Sequence, residues 1–170
     1  VLSGFGTEDN HHAISAWVWG PDGGICFQSG IFLHTQVETP YGVTRLQQGA
    51  ILRLEPRKLK LDPYAVCGSF ANPWGHAFDR WGQNFLTEAP GGHIYPLACA
   101  IGSVEVKGDY PRIQGAPKSC GIEFVSGAHW PEDWQGDLIL NAFKNKIVCR
   151  YKFSDDSSSF TAKELDPLIV

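Results

Sequence analysis

The chain has 170 residues, which is enough for one domain with a sizeable hydrophobic core. Its 43% hydrophobic content is that of a globular protein, while 19 glycines and 11 prolines indicate many turns. The net charge of −4 does not provide the basic surface that binding to nucleic acid or to an anionic membrane requires. No apolar run reaches the roughly 20 residues of a membrane helix. We therefore expect no nucleic-acid partner and no membrane span in this chain.

Short β-type runs, separated by Gly, Pro and Asp turns, follow one another along the chain, and no long segment shows helical periodicity. The first run places small residues early and aromatic residues late, which predicts a strand buried on both faces. The polar segment 155–159 is predicted to form a loop between the last two strands. The predicted strands cover residues 14–19, 25–29, 51–55, 84–87, 121–126, 137–140 and 147–153.

Five cysteines include no C-x-x-C pair, so the sequence contains no thioredoxin motif, zinc ribbon or haem c attachment site. We interpret each cysteine as a small buried hydrophobic residue. The odd number leaves at least one thiol without a partner inside the chain. A Cys120–Cys149 disulfide in an oxidising compartment stays open, and the sequence alone does not establish any pairing. The remaining cysteines are Cys26, Cys67 and Cys99.

A degenerate repeat runs through these strands: a strand, a turn closed by glycine, and a second strand with an aromatic residue. Copies cover residues 18–27 and 75–86, and a looser copy covers 122–140. The turn glycines lie roughly 55–60 residues apart, slightly more than the period of about 40–50 for one propeller blade. We therefore predict an all-β partial propeller of about three blades, forming a single domain over residues 1–170. Because closed propellers have about four to eight blades, we expect a fragment of a longer chain. The alternative is an ordinary antiparallel sandwich.

Several motifs resemble those of the soluble glucose and sorbosone dehydrogenases that depend on pyrroloquinoline quinone (PQQ). The similarity is greatest to the propeller of the planctomycete-type large membrane-bound dehydrogenases, and it covers nearly the whole chain. The motifs are GFGTED at 4–9 with His11-His12, WGPDG at 19–23, ETPYG at 38–42, NPWGHAFDRWG at 72–82, PKSCG at 117–121 and PEDWQG at 131–136.

This resemblance implies a partial six-bladed β-propeller built from four-stranded antiparallel sheets. It implies a quinoprotein-like dehydrogenase that oxidises a sugar or another polyol, with PQQ and calcium as cofactors. The electron acceptor would be a cytochrome or a haem c domain outside this chain. A periplasmic or secreted location is expected on the same ground.

The resemblance assigns the role of catalytic base to His12, because the family has a histidine eight residues before its Gly-Pro-Asp turn. The residue type suits the task, since imidazole accepts a proton near neutral pH. Hydride leaves a carbinol carbon more readily as the hydroxyl is deprotonated. The alternative is a histidine that is hydrogen-bonded in a structural loop.

Cofactor contacts are implied for Asn72, Trp74 and Lys144. The family motif Arg-Asn-Pro-x-Gly reads Ala71-Asn72-Pro73-Trp74-Gly75 here, so the guanidinium that would pair with the cofactor's carboxylates is missing. Trp74 can stack on a flat ring or pack between blades, and Lys144 aligns with a lysine that faces the quinone. Glu88 lies in the family's calcium-loop region and is the predicted metal ligand.

Gln36 and Glu38 are the predicted substrate contacts, since they lie in a long segment after the first repeat that we expect to form a loop. Two other functions stay open at this point. One is a non-catalytic propeller that binds glycans or partner proteins, which Ala71 favours. The other is a calcium-dependent lactonase on a similar propeller, for which the sequence offers no convergent set of ligands.

Overall fold

The computed structural model describes residues 2–47, 49–66, 72–97, 104–105, 113–157 and 159–170. The chain divides into two compact units: unit 1 comprises residues 1–73 and 99–110, and unit 2 comprises residues 74–98 and 111–170. The described elements are two 3-10 turns, η1 (Asn10–His12) and η2 (Glu132–Trp134), and the strands β1 (Ser15–Trp19), β2 (Ile25–Ser29), β3 (Thr35–Thr39), β4 (Gly42–Leu46), β5 (Ala50–Glu55), β6 (Lys60–Val66), β7 (Pro73–Phe78), β8 (Asn84–Glu88), β9 (His93–Leu97), β10 (Val104–Glu105), β11 (Ile113–Gln114), β12 (Ser119–Phe124), β13 (Leu138–Ala142), β14 (Ile147–Asp156) and β15 (Ser159–Ile169).

Unit 1 is a five-stranded sheet in the order β1-β2-β5-β6-β10, accompanied by the separate hairpin β3–β4. The first four strands are antiparallel, and β10 adds in parallel to β6. The hairpin covers the sheet, because Val37 and Leu46 of the hairpin share one core with Phe27, Leu52 and Leu61. The connection after β2 is therefore part of the fold, with a regular structure of its own.

That hairpin corrects the predicted loop around Gln36 and Glu38. The residues of β3 alternate between buried and exposed, so Thr35 and Val37 face the core while Gln36 and Glu38 face outward. Period-two burial is the mark of a strand on a core, and here it extends over only five residues. In a stretch this short and this polar, the alternation of apolar and polar residues is too weak to predict a strand from the sequence.

Strand β1 differs from its prediction as well. It is an edge strand that pairs with β2, and its side chains Trp17 and Trp19 are 55% and 66% exposed, so the expectation of burial on both faces was wrong. The Trp17 ring still stacks on Phe27, with ring centroids 4.2 Å apart. A large aromatic side chain can thus pack against the core with one face of its ring while the rest of the ring is exposed to solvent.

Unit 2 consists of two four-stranded sheets, in the orders β11-β9-β8-β7 and β12-β13-β14-β15. The second sheet is an antiparallel meander throughout. One core joins the two sheets, since Phe85 and Ile94 of the first pack in the same cluster as Leu138, Leu140 and Tyr151 of the second. Burial of such side chains contributes about 1.5–3 kcal/mol each, which holds the two sheets together.

The predicted fold class is confirmed: the described part of the chain is all-β, with three large sheets of four or five strands each. Within the described residues, no helix is long and apolar enough to span a membrane. The predicted loop at 155–159 lies between the last two strands as expected but is shorter, because β14 extends to Asp156 and β15 begins at Ser159, so that the two strands form one long hairpin. That hairpin is held by Phe153 and Phe160, which pack against the core.

The structure describes Cys26, Cys120 and Cys149, and of these Cys120 and Cys149 are free thiols. The Cys120–Cys149 disulfide left open above is therefore not formed. The reason is topological: β13 lies between β12 and β14, so the two cysteines are two strand spacings apart, about 9–10 Å. A disulfide requires Cα atoms within about 7 Å. Cys26 and Cys149 are buried, as expected, Cys120 is only half-buried, contrary to the expectation, and Cys67 and Cys99 lie outside the described residues.

Candidate functional site

The connection that carries His12 is fixed by its own turn. Asp9 caps η1, since its carboxylate accepts a hydrogen bond from the His11 amide at 2.9 Å and its carbonyl accepts one from the His12 amide at 3.1 Å. The His12 carbonyl in turn accepts a hydrogen bond of 2.9 Å from the Gly30 amide. The backbone around His12 is thus tied both to the segment before it and to the end of β2.

The His12 ring is oriented by its surroundings. Its Nδ1 lies 2.7 Å from the carbonyl oxygen of Ile31, and because a carbonyl oxygen only accepts, Nδ1 carries the hydrogen. In the neutral ring the lone pair is then on Nε2. The ring also stacks on Phe32, with centroids 5.5 Å apart and planes 12° apart. This arrangement presents one nitrogen that can accept a proton.

Phe32 holds that stacking position at an energetic cost. Its φ of +72° lies in the left-handed region that favours glycine, and its side chain is 65% exposed. Non-glycine residues in this region cost about 1–3 kcal/mol and cluster at functional sites. An exposed aromatic ring in a strained backbone conformation beside His12 is consistent with a site that has been built around this histidine.

The predicted substrate contacts lie in the same unit as His12. Gln36 and Glu38 are exposed on β3, and the Gln36 Oε1 accepts a hydrogen bond of 3.1 Å from Arg45 Nε on β4. Glu38 is paired in register with Val43. The hairpin therefore presents a carboxylate and an amide–guanidinium pair to solvent, and its contact with substrate stays a prediction.

Glu88 of unit 2, the predicted calcium ligand, is paired within its own turn. The side chain is buried at the end of β8, and its Oε2 accepts a hydrogen bond of 3.1 Å from the Gly91 amide and lies 3.6 Å from His93 Nδ1. Among the described residues, no group of three or more His, Cys, Asp or Glu side chains could hold a metal ion. This donor set falls short of the six to eight oxygens that calcium takes.

Lys144 and the Glu88 turn lie at the same end of unit 2. The Lys118 amide donates to the Ala89 carbonyl at 2.7 Å, and the Phe143 amide donates to the Lys118 carbonyl at 3.1 Å. These bonds connect the turn after Glu88 to the exposed turn 143–146, which contains Lys144. The ammonium group of Lys144 is available to a ligand at this end.

The other predicted cofactor contacts lie at the start of β7. Asn72 is half-buried immediately before the strand, and Trp74 within it is 38% exposed. Ala71 lies outside the described residues. His12 and Asn72 belong to unit 1, whereas Trp74, Glu88 and Lys144 belong to unit 2, so the convergence of these residues on one cofactor stays a prediction.

Sequence reasoning missed two partners of these residues. The Ile31 carbonyl that orients His12 is a backbone group 19 residues away, and no side-chain pattern points to it. The Glu88–His93 pair had a signal that was overlooked, because the two residues are paired in register across a Pro-Gly-Gly turn. Hairpin spacing of this kind places cross-strand neighbours opposite each other.

Comparison with known proteins gives one family and one remote structural neighbour. The family model described as "Domain of unknown function (DUF7133)" matches residues 1–107. No curated protein matches the chain. The structure of selenomethionine-substituted virginiamycin B lyase from Staphylococcus aureus is similar at a TM-score of 0.43 and 13% identity, over 94% of this chain and 58% of that one. The chain thus spans less than two thirds of that structure, and a likeness of this degree carries no functional argument.

Proposed function

We propose that this chain, which belongs to the DUF7133 family because that family's model matches residues 1–107 of its 170, is the base-bearing part of a quinoprotein-like dehydrogenase propeller that oxidises a sugar or another polyol. The observation that carries the proposal is the orientation of His12. Its Nδ1 is held 2.7 Å from the Ile31 carbonyl oxygen, so its Nε2 is the acceptor. A directed acceptor on a rigid β scaffold is what general-base catalysis requires.

In the proposed step, the substrate hydroxyl gives its proton to Nε2 of His12 while the carbinol carbon loses hydride and becomes a carbonyl carbon. The imidazolium that forms keeps its Nδ1–H bond to the Ile31 carbonyl, and this bond stabilises the new positive charge. PQQ, when bound, supplies the hydride acceptor. A positioned base of this kind contributes about 10²–10⁴-fold to the rate.

Three residues have side chains of the types that a carboxylated planar ring needs. The Asn72 amide donates and accepts hydrogen bonds, the Lys144 ammonium donates to anionic or quinone oxygens, and the Trp74 indole can stack. The Glu88 carboxylate already contacts the Gly91 amide and His93 Nδ1, so calcium has no part in the proposed step.

The test has two parts, which fail independently. NMR of the ¹⁵N-labelled chain should show His12 protonated at Nδ1 and unprotonated at Nε2 in the neutral ring. The intact protein that carries this chain, supplied with PQQ and Ca²⁺, should then reduce a redox dye in the presence of a sugar or polyol. The opposite tautomer would remove the base from the mechanism. Absence of both bound quinone and dye reduction across a panel of sugars would overturn the dehydrogenase.

A second function, a non-catalytic propeller that binds glycans, is favoured by the exposed tryptophans of β1. Trp17 and Trp19 follow His12 by a few residues and are 55% and 66% exposed, which suits stacking against a sugar ring. In this case a glycan would bind without dye reduction. Trp19→Ala would then weaken binding, whereas His12→Gln would not.

A further inference from the structure

Unit 2 contains a cavity of about 870 Å³ that no step of the proposed reaction uses. All of its lining residues belong to this unit, and they come from β7, β8, β12, β14, β15 and the turns next to these strands. The volume falls within the range of about 300–1,000 Å³ that is typical of sites for small organic ligands. The floor of the cavity is formed by five phenylalanines: Phe78, Phe85, Phe124, Phe153 and Phe160.

The floor is ordered by contacts between its rings. The Phe85 ring lies at the centre and makes edge-to-face contacts with Phe124, Phe153 and Phe160, at centroid distances of 5.1, 5.2 and 5.1 Å. Edge-to-face packing leaves the rings in different orientations, and the faces carry the negative end of the ring quadrupole. Such an aromatic surface attracts organic cations more strongly than it attracts neutral molecules of the same shape.

The rim of the cavity adds negative charge to this floor. It carries three carboxylates, from Asp79, Glu123 and Asp155, and one guanidinium, from Arg80. The Arg80 Cζ lies 4.7 Å from the centroid of the Trp81 ring, so its charge already has an aromatic partner. The rim therefore has a net charge of −2 at neutral pH, which repels anions and complements a cation.

We propose that this cavity binds a small organic ammonium ion, and that a quaternary or alkylated ammonium group is the part that it recognises. An inorganic cation would be attracted by the carboxylates of the rim but would not displace water from an apolar floor of this size. A neutral apolar molecule would pack against the phenylalanine floor but would not interact favourably with the negative charge of the rim. Only a ligand with a diffuse positive charge and an apolar surface uses both features.

Choline and its neutral isostere 3,3-dimethylbutan-1-ol provide the matched probes, because they differ in charge and hardly in shape. Titration of the 170-residue chain, followed by NMR shifts of the cavity phenylalanines, should show choline binding about tenfold more tightly than the isostere. Equal affinity, or no shift with either probe at millimolar concentrations, would overturn the proposal. A larger shift with the neutral alcohol would identify an apolar groove instead and would overturn it as well.

Variants assign the effect to the cavity. Glu123→Gln combined with Asp155→Asn, both at exposed positions, should reduce the choline preference to about threefold or less. Glu132→Gln removes an exposed carboxylate that does not line the cavity and should leave the preference unchanged. Because the control removes one negative charge and the double variant removes two, a loss in Glu132→Gln of about half that in the double variant would show that the preference arises from net charge alone and would contradict a site. If the double variant does not fold, the comparison of the two probes on the unmodified chain still decides.

Discussion

His12 of unit 1 and His76 of unit 2 are buried to nearly the same degree, at 8% and 6% exposure, and they lie in different structural settings. His12 lies in the connection before β1, where a backbone carbonyl holds one nitrogen and leaves the other as an acceptor. His76 lies within β7, beside Asn84 and with its ring centroid 4.7 Å from that of Phe78. Burial lowers the pKa of His76 to about 4, with the Asn84 amide acting in the opposite direction.

The difference shows that burial alone does not distinguish a functional histidine from a structural one. A histidine inside a strand is surrounded by the sheet and its neighbours, so it is kept neutral as part of the core. A histidine at the edge of a sheet can be oriented by a single carbonyl while one side stays accessible to a ligand.

His12→Gln should lower kcat/KM for dye reduction by about 10²–10⁴-fold in the intact protein, because it removes the proton acceptor but keeps a polar side chain. His76→Gln should leave kcat/KM within about twofold, since His76 is in the core. His34→Gln is the matched control in unit 1, because the His34 side chain is exposed and contacts only Glu8 among the ion pairs described. A loss below threefold for His12→Gln would show that the two histidines do not differ in role.

The pH dependence of stability should single out His76. Its pKa falls from 6.5 in the unfolded chain to about 4 in the folded chain. Between these values the unfolded state binds a proton that the folded state does not, so the free energy of unfolding decreases as the pH falls from 6.5 towards 4. The difference of 2.5 pKa units corresponds to about 3 kcal/mol.

Urea denaturation of the unmodified chain and of His76→Gln at pH 7 and pH 4.5 measures this contribution. Carboxylates titrate equally in both proteins, so the excess loss in the unmodified chain belongs to His76. Identical pH profiles would show that folding does not lower the pKa of His76 and would contradict the prediction. An NMR titration of the His76 imidazole provides an independent reading, in which the midpoint of the shift should lie at about pH 4.

The strands that could be predicted from the sequence are those with local signals. Strand β2 has the predicted bounds Ile25–Ser29, and β14 begins at the predicted Ile147, because apolar runs next to glycine-closed turns are complete within a few residues. Strand β15 was implied by the predicted loop at 155–159 but was given no bounds. It contains Lys163, Glu164 and Pro167, and it forms a strand because β14 pairs with it along nearly its whole length. Propensity is overridden there by tertiary pairing.

The candidate site likewise contains residues with a sequence signal and contacts that depend on the folded structure. The family resemblance pointed to His12 as the candidate base, whereas the Ile31 carbonyl that orients it has no sequence signal. Glu88 was assigned to calcium from its position in a motif, and its contact with His93 depends on the register of β8 and β9. The five phenylalanines of the cavity are ordinary core residues in the sequence, and their shared surface exists only after two sheets have packed.

The smallest expected effect concerns the two repeat turns, which have similar sequences and different bonding. In unit 2, Asp79 Oδ1 accepts hydrogen bonds of 2.8 Å from both the Trp81 and Gln83 amides. In unit 1, Asp22 accepts one from the Gly24 amide at 3.0 Å and one from Arg53 Nε at 2.8 Å. The bonds to Asp79 require only an oxygen acceptor, whereas the bonds to Asp22 include an ion pair with Arg53.

Asp79→Ala should therefore destabilise the chain by about 1–2 kcal/mol, and Asp22→Ala by about 0.5–1 kcal/mol, since exposed ion pairs contribute little. Asparagine separates the two mechanisms. Asp79→Asn should recover most of the loss, because an amide oxygen still accepts from both backbone groups, while Asp22→Asn should recover only the bond from Gly24. High salt should weaken the unmodified chain's advantage over Asp22→Asn and leave its advantage over Asp79→Asn unchanged, because screening acts on the ion pair alone. If asparagine recovers the same share of stability at both positions, the two turns are held by the same kind of bond.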